Sequence, residues 1–331
     1  MAMTSSTRFG PSLRVISGPE VRALLPMADA IGLMADVLAA LSAHRAHVPL
    51  RSAMPVGPGG NRLGLMPGVL EHPAVFGIKL LSLFPQNAAA GLSSHLGLVA
   101  LFEAHHGQPV ALLEASALTA IRTAAVSAVA TRLLAREDAG DLALLGAGEQ
   151  AASHLEALRL VRPIRRVRVW SRTPGHAHAF AEIHGVEAVD SVASAVVGAD
   201  IICTLTGARE PILLGDQVAA GVHINAVGAC VPTAAEVDTA LVVKSRYIVD
   251  LRASAEAEAG EYLTAMEAGA IAPDHIAAEL GEIVAGLKPA RQDNGEITLF
   301  KSLGLAAEDL AAAQFILDRA RALGVGQSVQ L

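Results

Sequence analysis

Cysteine, aromatic side chains and any excess of positive charge are scarce in this sequence. Two cysteines, Cys203 and Cys230, occur in 331 residues. Two thiols make neither a disulfide framework nor a zinc site, so no metal is expected, and their sparse use fits a reducing cytoplasm. Aromatic residues make up 3% of a chain that is 52% hydrophobic, so the core must be assembled from alanine, leucine and valine. The formal net charge is −7, with no basic tract, which argues against nucleic acid as a partner. A membrane span is also missing. The longest uncharged run, between Lys79 and Glu103, holds Pro85, Gln86, Asn87, Ser93, Ser94 and His95, and hydrocarbon does not tolerate such a series of polar and helix-breaking groups. The lead from Met1 to Pro11 is polar and has no apolar centre of the kind a secretory signal needs.

The length suits two domains. Leu13–Ile16 is expected to be a short strand, and residues 26–45 a helix with Ile31, Met34, Val37, Leu38 and Leu41 on one face. The period then shortens. Segments near 48–54, 62–69, 75–83, 95–103 and 109–113, divided by glycine, proline and asparagine, predict an antiparallel or mixed sheet. A long helix follows from Ser116 to Arg136. Strands at 142–145, 167–170, 201–204, 222–226 and 247–250 then alternate with helices, which predicts βαβ units and a parallel sheet. Helices are expected around 252–267, 275–286 and 306–323, and a short strand at 297–300. The fold class is thus α/β: a Rossmann-type parallel sheet domain plus an α+β domain.

The most informative stretch is Leu142-Ala143-Leu144-Leu145-Gly146-Ala147-Gly148-Glu149-Gln150-Ala151. Four apolar residues lead into G-x-G-x-x-A, and a helical pattern follows. Gly146 would make the tight turn, Gly148 would let a pyrophosphate approach the backbone, and Ala151 would let the helix pack on the strand. Ala147, Glu149 and Gln150 complete the loop. The end of the second strand reads Trp170-Ser171-Arg172-Thr173. An acidic residue there would bind a ribose 2′-hydroxyl and repel a 2′-phosphate. Two hydroxyls and a guanidinium favour a phosphate instead, so NADP(H) is the expected cofactor, with NAD(H) as the alternative. Arg172 is also compatible with a solvated loop position. Thr204, Thr206, Val227 and Gly228 fall at later strand ends, where the nicotinamide half should pass; ordinary turn chemistry would also place them there.

Several stretches together resemble the ornithine cyclodeaminase/mu-crystallin family: Val48-Pro49-Leu50-Arg51, Gly64-Leu65-Met66-Pro67, Gly77-Ile78-Lys79, Thr119 to Ala128, Glu210-Pro211-Ile212-Leu213, Ile224 to Ala229, Glu279 to Ile283, and Phe300-Lys301-Ser302-Leu303-Gly304. The resemblance implies a homodimer. Its substrate-binding and dimerisation domain would comprise residues 1–122 with 305–331, and its NAD(P)-binding Rossmann domain residues 123–304. It implies that Arg51, Lys79 and Arg122 contact substrate and carry catalysis, and that Ser171, Arg172 and Thr173 hold the cofactor's phosphate. Lys301 and Ser302 are expected near the cofactor. The activity it implies is NAD(P)H-dependent reduction of a small cyclic α-imino acid, 1-pyrroline-2-carboxylate or 1-piperideine-2-carboxylate, to proline or pipecolate. An amino-acid dehydrogenase acting on acyclic imines, an ornithine cyclodeaminase and a non-catalytic NADPH- and ligand-binding protein are the alternatives. One departure matters. The family's cyclodeaminases place a catalytic aspartate just after the segment matching Ala226-Val227-Gly228, where this chain has Cys230.

The residues support the reductase chemistry in their own right. An arginine can clamp the substrate carboxylate in two-point fashion, and Lys79 can supply the proton that the reduced nitrogen needs, its pKa lowered by neighbouring arginines. Lys79 lies within an apolar run and, if buried, needs a partner or a cleft. Arg51 could equally be a surface residue, Arg122 could reach solvent from its apolar helix, and Lys301 could merely cap a strand. His95 and Cys230 read as core groups. The variable loop from Gln86 to Gly91 is a candidate for side-chain selectivity.

Overall fold

The computed structural model describes residues 12–57, 59–90 and 95–330, with the side chains of 88–90 and 95 outside that set. Gly91 and the side chain of His95 therefore lie outside the described residues. The chain divides into two compact units, Met1–Pro26 with Arg45–Thr119 and Ala306–Leu331, and Met27–His44 with Ala120–Leu305.

The first unit is an eight-stranded mixed sheet. Its order is Gln327–Gln330, Ser12–Ile16, Pro109–Glu114, His95–Glu103, Val75–Leu83, Arg62–Leu70 and Ala46–His47, with Ser52–Pro55 also paired to Arg62–Leu70. Only the pairing of Ser12–Ile16 with Pro109–Glu114 is parallel. Alternation along the strands sends Met66, Lys79, Val99 and Leu113, which lie in register, to one buried face. The helix Ala306–Leu323 covers that face. The opposite face is also apolar: Leu65, Leu80 and Leu98 lie side by side, as do Pro67, Ile78, Ala100 and Leu112, and all are half-buried. The expected strand near 48–54 is two shorter ones, Ala46–His47 and Ser52–Pro55, interrupted around Pro49. The strand Gln327–Gln330 was not anticipated, because its polar composition carries no periodic signal.

The second unit holds an eight-stranded parallel sheet in the order Glu187–Ala188, Arg166–Trp170, Asp141–Leu145, Ile201–Thr204, His223–Ala226, Thr298–Lys301, Arg246–Val249, Ile276–Glu279. The central strands are buried on both faces, which accounts for their near-continuous apolar sequences. Two expected helices take other forms. Residues 252–267 are two helices, Arg252–Glu258 and Gly260–Glu267, broken at the extended backbone of Ala259. Residues 275–286 begin as the edge strand Ile276–Glu279 and only then form the short helix Leu280–Val284. An apolar run of that length does not by itself distinguish a buried strand from a helix. The helix Met27–Ser42 groups with this unit: Ser42 Oγ donates to Glu279 Oε2 at 2.8 Å, and Gly281 sits against the Leu38 carbonyl. The helix Ala115–Leu134 is long and apolar enough to cross a membrane, but 83% of its apolar window is buried in the fold.

Buried polar pairs fasten the part of that helix beyond Ala120. Ser127 Oγ meets His154 Nε2 at 2.9 Å, and Asn225 Nδ2 donates to Thr131 Oγ1 at 2.9 Å. The carbonyl of Gln150 accepts from His154 Nδ1 at 2.7 Å, so Nδ1 carries the proton and Nε2 takes the Ser127 hydroxyl. Burial pushes His154 down to about 4. Burial, helped by the Arg291 charge, pushes His223 down to about 3. Both are neutral in the native state, whereas the unfolded chain takes up protons near pH 6.5. Stability should therefore be full above pH 7 and fall as the pH drops below 6.5, with His154 alone contributing about 3 kcal/mol by pH 4. Glutamine can donate to the Gln150 carbonyl and accept from Ser127. In denaturant unfolding at pH 5–6, His154→Gln should flatten the pH slope by about 1.2 kcal/mol per pH unit.

Candidate functional site

In the second unit the strand order reverses between Asp141–Leu145 and Ile201–Thr204. The loops leaving these strands diverge, and the carboxyl edge between them is where open parallel sheets take ligands. Gly146 is at the turn. Its φ is 124° and a Cβ there would lie 2.6 Å from the Leu205 carbonyl oxygen, so only glycine fits. Gly148 is exposed, with no atom within 4 Å of a Cβ position, and it caps the helix Glu149–Arg159. Ala151 is fully buried, letting that helix pack closely. The start of this helix is thus open at Gly148, an arrangement suited to a pyrophosphate. Gln150 Oε1, Thr123 Oγ1 and Ser302 Oγ are buried without a hydrogen-bond partner. Such orphaned groups are rare in folded proteins, and these three have bonding capacity that a ligand could meet.

On the side of the second strand, Ser171 is half-buried, and Arg172 and Thr173 are exposed. Thr173 begins the helix Pro174–His184, but its hydroxyl makes no capping bond. Positions 171–173 contain no carboxylate.

On the other side, Thr204, Thr206 and Gly228 are drawn together by a residue the sequence reading missed, Glu236, and Val227 N donates to the Thr204 carbonyl. Its side chain is 1% exposed. Oε1 accepts from Thr206 N and Thr206 Oγ1, both at 2.7 Å. Oε2 accepts from Thr204 Oγ1 at 2.8 Å, Gly228 N at 2.6 Å and Ala229 N at 3.3 Å. A Cβ on Gly228 would lie 2.1 Å from the Thr206 carbonyl oxygen, so the two loops touch where that residue has no side chain. Glu236 lies in an irregular loop that no motif marks, although the absence of a helix or strand around it leaves its backbone free to bridge: Ile212 N and Leu213 N both donate to its carbonyl.

Lys301 is buried. Its Nζ is 3.0 Å from Glu261 Oε1 and donates to the Ala229 carbonyl at 2.6 Å. Burial alone would lower it, but attraction to Glu261, Cys230 and Glu236 outweighs this and raises it, so it remains a cation. It supports the Ala229–Cys230 segment from within the protein. Cys230 is half-buried and its thiol donates to the Val227 carbonyl at 3.4 Å.

The basic residues expected to meet substrate have distinct settings. Arg122, 5% exposed, lies over Gly304, where a Cβ would come within 2.5 Å of its Nη1. The Leu303–Gly304 turn is itself held by Asp250 Oδ2, which accepts from both amides at 2.6 and 2.7 Å. In the first unit Lys79 is 1% exposed and donates to Asp309 Oδ1 at 3.0 Å; that aspartate, fully buried in the first turn of Ala306–Leu323, was not foreseen. Arg51 is half-buried just before the strand Ser52–Pro55.

Comparison with known proteins agrees with this arrangement. The ornithine cyclodeaminase/mu-crystallin family profile matches residues 14–324. A Delta(1)-pyrroline-2-carboxylate reductase of Bacillus cereus is 38% identical over 323 residues, covering 96% of this chain and 99% of that one. The mouse ketimine reductase mu-crystallin is 41% identical over 272 residues, 82% of this chain and 84% of its own. The structure of Thermococcus litoralis Delta(1)-pyrroline-2-carboxylate reductase, in complex with NADH and L-proline, superposes with a TM-score of 0.91 at 37% identity, over 96% of this chain and all of that one. With both sheets and nearly the full length accounted for, the chain belongs to the ornithine cyclodeaminase/mu-crystallin family.

Proposed function

We propose that this protein is an NAD(P)H-dependent reductase of small cyclic α-imino acids, converting 1-pyrroline-2-carboxylate to proline and 1-piperideine-2-carboxylate to pipecolate. The observation that carries this reading is the dinucleotide-type carboxyl edge of the parallel sheet, with its tight turn at Gly146 and open helix start at Gly148. The Bacillus and Thermococcus relatives, similar over nearly their full length, are named for this substrate.

In this reading Arg122, fixed by the Asp250-bound turn, and Arg51 receive the substrate carboxylate and orient the ring. Lys79, held by Asp309, faces the imine nitrogen and gives it a proton. When bound, the reduced nicotinamide supplies the hydride that the imine carbon takes up. Hydride to carbon and proton to nitrogen would turn C=N into CH–NH, the two electrons being those of the hydride. Gly146, Ala147, Gly148, Glu149 and Gln150 hold the pyrophosphate, with Thr204, Thr206, Val227, Gly228, Lys301 and Ser302 shaping the nicotinamide side. Ser171, Arg172 and Thr173 favour NADP(H). The half-buried outer face of the mixed sheet, with Leu65, Leu80 and Leu98 in register, serves as the interface of a homodimer. The two free cysteines agree with a reducing cytoplasm.

NADPH oxidation followed with 1-pyrroline-2-carboxylate, 1-piperideine-2-carboxylate, and pyruvate plus ammonium or methylamine should show turnover on the cyclic imines first. Rapid turnover confined to the acyclic mixtures would sink the proposal. Removing the proton donor should lower kcat by about 100-fold or more while NADPH affinity stays within about twofold. Lys79→Met alone strands a buried carboxylate, so the test uses Lys79→Met with Asp309→Asn.

Arg172→Ala should weaken NADPH binding by about tenfold or more and NADH binding by less than about twofold, as expected for one lost charge-assisted phosphate contact. Equal losses in titration calorimetry would remove Arg172 from cofactor choice. Leu80→Glu should convert the dimer to a monomer in sedimentation velocity, since a carboxylate cannot be buried there without a partner.

A further inference from the structure

Glu236 has no part in the chemistry described above, yet it is among the most heavily hydrogen-bonded side chains in the second unit. We propose that it is a positioning residue for the nicotinamide half of the cofactor, clamping the loops 204–206 and 227–229 into one surface. This rests on the dinucleotide reading of the parallel sheet.

Where that surface lies follows from the strand order. A dinucleotide straddles the switch point, with its pyrophosphate at the first helix. The corner after Arg166–Trp170 lies on one side of Asp141–Leu145 and takes the adenosine half. The loops after Ile201–Thr204 and His223–Ala226 lie on the other side and take the remainder. These two loops carry no strand-to-strand bonds beyond the last ladder position. Val227 N and Gly228 N reach the Thr204 carbonyl at 3.1 Å, and further out it is Glu236 that bonds to both loops at once.

Only a carboxylate can do this. Oε1 accepts from a backbone amide of one loop, Thr206 N, and Oε2 from amides of the other, Gly228 N and Ala229 N. A glutamine has one accepting oxygen and one donating NH2. In either orientation it must point a donor at a donor, so one loop loses its anchor although shape and volume are kept. The carboxylate is itself fixed. Its backbone carbonyl accepts from Ile212 N at 2.9 Å and Leu213 N at 3.0 Å, and Leu213 bridges to Val237. Its charge lies within the field of Lys301, which grips the same segment through the Ala229 carbonyl. The segment from Val227 to Cys230 is therefore held at its amides by an anion and at a carbonyl by a cation.

The role of a loop clamp on the ring side is separable from general support of the fold. ADP-ribose and 2′-phospho-ADP-ribose carry everything but the nicotinamide ring. Titration calorimetry of the full-length wild type and Glu236→Gln, with NADH against ADP-ribose and NADPH against its phosphorylated fragment, reads the two halves apart. The variant should bind both fragments within about twofold of wild type and bind the tighter whole dinucleotide at least tenfold more weakly, the scale of one or two lost charge-assisted hydrogen bonds. Equal losses for fragment and dinucleotide, or no loss for either, overturn the proposal. Should Glu236→Gln fail to fold, Glu236→Asp, which keeps the charge but is one methylene too short to reach both loops, goes through the same titrations with the same criterion. A wild type that binds neither the dinucleotides nor the fragments refutes the dinucleotide reading itself, a result distinct from failure of the clamp.

Discussion

The pairing of Asp141–Leu145 with Arg166–Trp170 on one side and Ile201–Thr204 on the other is the constraint on which the rest depends. One strand cannot send its connections both ways without its outgoing loop being left between them. That loop begins at Gly146, whose amide donates to the Trp170 carbonyl at 2.8 Å and whose missing side chain makes room for the Leu205 carbonyl. A single Cβ at this point would collide with the neighbouring loop, and it would also be strained by the positive φ. The crevice, the helix end that faces it and the two corners flanking it all follow from that reversal.

Around this frame the protein places charge in a core of small aliphatic groups. Several buried charges have identified opponents. Lys79 faces Asp309, Lys301 faces Glu261, and Glu236 is answered by backbone amides and threonine hydroxyls. Isolated ions would be driven to neutrality in such surroundings, while paired and hydrogen-bonded ones persist. Lys301 shows the balance: burial pulls its affinity for protons down, and the carboxylates around it pull it further up. The histidines go the other way. His154 and His223 have polar neighbours but no anion to pair with, and remain neutral. The second unit thus fixes the Lys301 cation beside its loops while keeping its structural imidazoles uncharged.

Much of this could be read in the sequence because it is local. The glycine loop needs a strand, a turn and a helix within ten residues, and Leu142 to Ala151 supply them in order. The apolar strands of the parallel sheet and the amphipathic alternation of 62–83 carry their own periods. What could not be read comes from partners remote in sequence. Asp309 reaches Lys79 across 230 positions. Asp250 holds a turn more than fifty residues away through two amides. Glu236 is nearer to its targets, but a side chain that bonds to backbone amides leaves no residue-type pattern at the positions it serves. The strand at Ile276–Glu279 was read as a helix for a related reason: an edge position beside Arg246–Val249 is decided by pairing, which a short apolar run does not encode.

Cys230 shows how one position can narrow the chemistry. Ring closure from a diamino acid requires a group that handles the side-chain amine through several proton transfers, and a carboxylate after the Ala226–Gly228 segment would suit it. The thiol there is engaged as a donor to the Val227 carbonyl. A thiol in that arrangement has its proton committed to an oxygen and offers the amine no comparable acceptor. Reduction of a preformed imine makes no such demand. It needs only one hydride and one proton, and in the proposed reading the proton comes from Lys79. A thiol in place of a carboxylate at this position therefore fits the simpler demand of reduction better than that of cyclisation, in line with the reductase relatives.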